Sequence, residues 1–159
     1  MSDTKPVEIF FYHLQTQPLE KGLPKLLELS LERGWQVVLQ TRTEEKCNAL
    51  NDLLWTFSEE SFLPHGTARD GDAEFQPIYL THGAENPNGA QIRFFDEGAQ
   101  ILSALSGADE PYERIVLMFN GNDDAELQDA RAQWKALKET GAALSYYQQT
   151  DEGRWEKKA

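Results

Sequence analysis

The sequence predicts an α/β fold: a single Rossmann-like, three-layer domain built on a central, mainly parallel sheet. Three observations carry that expectation. Two uniformly apolar runs, VEIFFYHL at Val7–Leu14 and RIVLMFN at Arg114–Asn120, read as strands buried on both faces. Strand-like and helix-like segments alternate along the chain, which is the pattern of crossover connections. The length of 159 residues matches one domain, 1–159, with no linker-like tract and with polar residues 1–6 expected to form a flexible N-terminus.

The elements follow in order. After the first strand, Pro18 and Pro24 bracket a loop and the entry to a helix, because proline is tolerated in a first helical turn. Leu26, Leu27, Leu29 and Leu31 fill that helix, and Gly34 stops it. Trp35–Gln40 is a second short strand. Thr43 opens a helix whose Cys47, Leu50, Leu54 and Phe57 recur at three- and four-residue spacing. Ser58–Gln76, with Pro64, Gly66 and Gly71, reads as a long loop of the kind that carries function. Pro77–Thr81 is a strand, NPNG at Asn86–Gly89 a turn, and Gln91–Phe95 a short strand, with an antiparallel edge strand expected near this turn. Gly98–Leu105 reads as a short helix. A final helix runs from about Ala125 to Thr140, capped by Asp123 or Asp124 and stopped by Gly141. Ala143–Gln148 is the last strand.

Chemistry is scarce. None of the eleven glycines stands two residues from another, so no G-x-G element exists, and the loop Gln15–Glu20 after the first strand has no glycine at all. Backbone therefore cannot approach a pyrophosphate there in the usual way. His13, His65 and His82 lie in separate segments with no Cys or His at ligand spacing, and no G-x-S-x-G elbow is present. Cys47 sits on the apolar stripe of its helix as a small core residue. No cofactor, no metal and no intrinsic enzymatic activity are expected. The single cysteine fits a reducing compartment, and no apolar run reaches membrane-spanning length, so a cytoplasmic location without membrane contact is expected. The competing reading is a Rossmann-like nucleotide-binding or small enzyme domain with an unrecognised site.

The informative feature is charge. Fifteen basic against 27 acidic residues leave a net charge of −12, which repels phosphate backbones and makes DNA contact weak or indirect. Residues 131–159 nevertheless hold six basic and four acidic side chains, a net of +2. Arg131, Lys135 and Lys138 lie at i, i+4 and i+7 on one face of the last helix, with Trp134 beside them. Two readings are open. Trp134 belongs either to the apolar side with Leu127, Ala130 and Leu137, or to an aromatic floor beside a cationic rim that captures an acidic, hydrophobic peptide.

Several longer motifs then point to one family: YHL at Tyr12–Leu14, LNDLLWTFSEESFLPHG at Leu50–Gly66, QPIYL at Gln76–Leu80, NPNGA at Asn86–Ala90 and ARAQWKALKETG at Ala130–Gly141. Over nearly its whole length the chain resembles the chi subunits of bacterial DNA polymerase III holoenzyme. The resemblance implies a nucleotide-binding-like fold without a nucleotide site, and an adaptor role. One surface would bind the acidic C-terminal tail of single-stranded DNA-binding protein, which ends in Pro-Phe, and another the psi subunit of the clamp loader. The family's tail pocket carries over to Trp55, Phe62, Arg131, Trp134 and Lys135. Trp134 replaces a tyrosine of the family, keeping a stacking surface but lacking a phenol.

Overall fold

The apolar runs become the middle of a sheet. The computed structural model describes residues 7–56, 64–83, 85–95 and 112–159. Within them the strands are β1 (Glu8–Leu14), β2 (Val37–Gln40), β3 (His65–Gly66), β4 (Ile78–Thr81), β5 (Ile92–Phe95), β6 (Arg114–Asn120), β7 (Ala143–Gln149) and β8 (Trp155–Lys157). The helices are α1 (Leu19–Glu32), α2 (Glu44–Thr56) and α3 (Asp124–Lys138). The strands lie in the order β3-β4-β2-β5-β6-β1-β7-β8. All pairs are parallel except β7 with β8. The α/β expectation is met.

Strand alternation divides the core into two layers. Val116 and Met118 of β6 join Leu23 and Leu27 of α1 and Leu50 and Leu54 of α2 in one cluster. Ile115, Leu117 and Phe119 of the same strand join Ile9 and Phe11 of β1 and Ala130 and Leu137 of α3 in the other. The helices α1 and α2 therefore cover one face of the sheet, and α3 covers the opposite face. Leu23, Leu27 and Leu137 are fully buried, each contributing roughly 1.5–3 kcal/mol by removal of apolar surface from water. Cys47 is buried on the apolar stripe of α2, as its spacing implied.

Three expectations need correction. Helix α1 begins at Leu19, directly after Pro18, and Pro24 lies inside it rather than at its entry. The helix loses one backbone hydrogen bond there, and the buried Leu19, Leu23 and Leu27 hold it to the sheet regardless. The stretch read as a loop contains β3 and two 3-10 turns, Ala68–Asp70 and Ala73–Phe75. The strands flanking the NPNG turn both run parallel to β2. The antiparallel edge strand is β8, which the sequence reading missed. The short helix expected at 98–105, together with Phe57 and Phe62, lies outside the described residues.

Candidate functional site

Helix α3 starts with a strong local signal. The Asp123 carboxylate caps it, accepting from the backbone N–H of Ala125 (2.9 Å) and Glu126 (3.2 Å). Acidic residues occupy its first turn and Lys135 and Lys138 its last, complementing the helix dipole. Capping thus accounts for Asp123, as its position before the helix implied. Ala130 and Leu137 are buried against the sheet, while Arg131 and Lys135 are exposed. Trp134 sits between these two regimes. It is half-buried, edge-on to Phe11 (ring centroids 5.2 Å apart) and to Tyr146 (5.7 Å). Part of the indole packs on the core, as the first reading of Trp134 has it, and the rest is left accessible on the helix that carries Arg131 and Lys135.

Tyr146, and through it His13, packs beside Trp134, and the sequence reading gives neither a binding role. His13, at the end of β1, shares a 2.6 Å hydrogen bond between its Nδ1 and the Tyr146 hydroxyl. Tyr146 stacks on Phe11 at 6.4 Å, and His13 packs against Phe119 at 5.1 Å. Burial, and after it the Arg131 guanidinium, hold the His13 imidazole below its ordinary pKa. Burial pushes the Tyr146 phenol up, against the opposing pull of Arg131. Arg131 therefore acts electrostatically on both partners of that bond. Gly121 is required by the same geometry, since a Cβ there would lie 1.7 Å from His13 Nε2. No local motif announces the pair; the two residues are 133 positions apart and meet only through the parallel register of β1 on β7.

Trp55 is elsewhere. It is 53% exposed at the end of α2, with its ring 4.4 Å from that of His65. Its helix lies on the sheet face opposite α3, so Trp55 does not share a pocket with Arg131, Trp134 and Lys135. Phe62 falls outside the described residues.

The cleft where α/β proteins commonly bind ligands, beyond the carboxyl ends of the strands, has a volume of about 340 Å³ between the loop Gln15–Pro18 and Asn120, Asn122 and Glu126. Beside it, the backbone N–H groups of Gln15, Thr16 and Gln17 all donate to one atom, Gln149 Oε1, at 3.1, 2.9 and 2.9 Å. Consecutive amides converging in this way form an anion nest in phosphate-binding loops. Here the nest is filled by the protein's own side chain, which is 2% exposed. Among the described residues no three His, Cys, Asp or Glu side chains gather to hold a metal, and no helix is long and apolar enough to cross a membrane.

Residues 7–145 match the family model described as "DNA polymerase III chi subunit, HolC". A protein of Rickettsia prowazekii (strain Madrid E), described as "Probable DNA polymerase III subunit chi", is 28% identical over 109 residues. That alignment covers 67% of this chain and 66% of the relative, so the chain spans just under two thirds of the length of the curated protein it matches. With the family model covering most of the sequence and the parallel α/β fold in place, the chain belongs to the DNA polymerase III chi subunit family.

Proposed function

We propose that the protein is a non-catalytic accessory subunit of the replicative DNA polymerase holoenzyme. It acts as an adaptor, binding the acidic C-terminal tail of single-stranded DNA-binding protein on one surface and a psi-type subunit of the clamp loader on another. Family membership supports the holoenzyme part of this reading. The observation that carries the tail-binding part is the outer face of α3. Arg131 and Lys135 are exposed one turn apart beside the half-buried Trp134, on a protein whose net charge is −12. An acidic peptide is repelled by most of this surface and attracted here. The indole offers apolar area to a terminal phenylalanine, whose burial contributes roughly 1.5–3 kcal/mol. Arg131 is suited to bidentate pairing with a carboxylate. A contact this small gives affinity in the micromolar range, on the order of −8 kcal/mol, weakened by salt.

Trp55 stands on the opposite face of the sheet and is left out of the surface proposed on α3. The filled nest at Gln149 argues against the competing nucleotide-binding reading, because a phosphate would have to displace a buried amide that satisfies three N–H groups. Calorimetry with the tail peptide and with the Arg131→Ala variant tests the proposal. Equal affinities for the two proteins would remove α3 as the site.

A further inference from the structure

On a helix surface Arg131 neighbours both Trp134, three residues on, and Lys135, four residues on. Trp134 in turn stands edge-on to Tyr146. The phenol ring is clamped by Phe11, Phe119 and Trp134, so its hydroxyl has a fixed position next to the helix that carries the cationic stripe. His13 fixes it further through the 2.6 Å bond. The imidazole is itself wedged against Phe119 and the Cα of Gly121, where no side chain fits. Three elements (β1, β7 and α3) thus pack around one hydroxyl, and α3 carries Arg131 one turn from the Trp134 that touches it.

We propose that Tyr146 is a specificity-determining residue of the peptide site, its hydroxyl and the Arg131 guanidinium together receiving the terminal carboxylate of a bound acidic peptide, with His13 as the positioning residue. This rests on the peptide-binding reading of α3 given above. The proton inventory permits it. When His13 carries its proton on Nδ1, it donates to the Tyr146 oxygen, and the phenol O–H is free to donate to the carboxylate. Burial keeps the phenol protonated at neutral pH, so it remains a donor. A hydroxyl and a guanidinium aimed at one anion recognise a free carboxylate and reject its amide. An amide nitrogen brings hydrogens where both partners also bring theirs.

The experiment uses an acidic peptide ending in Pro-Phe, synthesised once with a free C-terminal carboxylate and once as the amide. Binding of both is measured by calorimetry to the wild-type chain, to Tyr146→Phe, which keeps the packed ring, and to Arg131→Ala. The expected result is a loss of about tenfold or more for Tyr146→Phe with the free acid, and less than about twofold with the amide. His13→Ala should show the same selective loss, smaller in size. If Arg131→Ala weakens binding but Tyr146→Phe does not, the role of Tyr146 is overturned and the peptide site stands. Equal loss for acid and amide would also overturn it, by reducing Tyr146 to a packing residue. If the wild-type chain binds neither peptide, or Arg131→Ala binds as the wild type does, both readings fall together.

Discussion

Trp55 and Trp134 stand on opposite faces of one mainly parallel sheet. Trp55 is half exposed beside His65 on the side of α1 and α2, and Trp134 of α3 packs edge-on to Phe11 and Tyr146 on the other side. Their truncations should therefore behave differently. Trp134→Ala opens space against two aromatic rings and is expected to cost about 2–3 kcal/mol in urea unfolding, as well as weakening the tail peptide. Trp55→Ala removes a surface contact, should cost within about 1 kcal/mol, and should leave tail affinity unchanged. Loss of tail binding in Trp55→Ala with α3 intact would place the site on the other face.

Arg131→Ala should weaken the tail of single-stranded DNA-binding protein by roughly 1.5–3 kcal/mol, the range for a hydrogen bond to a charged group. Its thermal midpoint should stay near that of the wild type, because the side chain is exposed on the helix. Raising salt should reduce the difference between the two proteins, since the screened term is the one removed. Calorimetry at two ionic strengths checks both statements.

Arg93 is a buried cation, at 1% exposure. Its guanidinium donates to Gln40 Oε1 (2.9 Å), to the carbonyls of Gly83 (2.7 Å) and Glu85 (3.0 Å), and to the Tyr112 hydroxyl (3.1 Å). It ties the turn after β4 to the sheet. Arg93→Ala should destabilise the protein by about 3 kcal/mol or more, because several buried acceptors lose their donor at once. A urea midpoint close to that of the wild type would show that the turn is held by other contacts.

Alkaline pH should unfold the chain through its tyrosines. Burial, and after it the neighbouring Tyr147, push the Tyr12 phenol up to about 12 from its ordinary 10.0, with Arg114 opposing. The unfolded chain releases this proton near pH 10 and the folded chain does not, so above pH 10 the unfolded state binds fewer protons. The contribution is fully present below pH 10 and is lost as pH rises toward 12, a change of roughly 2–3 kcal/mol. Denaturant titrations at pH 9 and 11 measure it, and Tyr12→Phe should flatten the slope. An unchanged slope in that variant would assign the effect to other groups.

What the sequence disclosed depended on whether the signal was local. The central strands were legible because burial on both faces leaves an unbroken apolar run, and α3 because Asp123, the apolar spacing and Gly141 mark its length. Strand β3 was not, because two residues, His65 and Gly66, carry no periodicity. Strand β8 was not, because Glu156 and Lys157 face water and Trp155 alone packs on the core, so three residues read as a tail. Of the candidate site, the cationic stripe was legible from helical spacing alone. The separation of Trp55 from Trp134 was not, since the sheet face that each helix covers is set by crossover handedness. The meeting of His13 with Tyr146 was equally hidden, because it is a property of strand order and register.

The side chain of Gln149 also constrains how this fold can change over evolutionary time. An ancestor or descendant that bound a phosphate beyond β1 would need an open nest and a loop that backbone can approach closely. Here the first is occupied by a buried amide and the second lacks glycine. Removing Gln149 alone would leave the N–H groups of Gln15, Thr16 and Gln17 without their shared acceptor and dependent on water. Introducing a glycine alone would loosen the loop with no ligand to repay it. Neither single step improves the protein, so a nucleotide site beyond β1 would need both changes together.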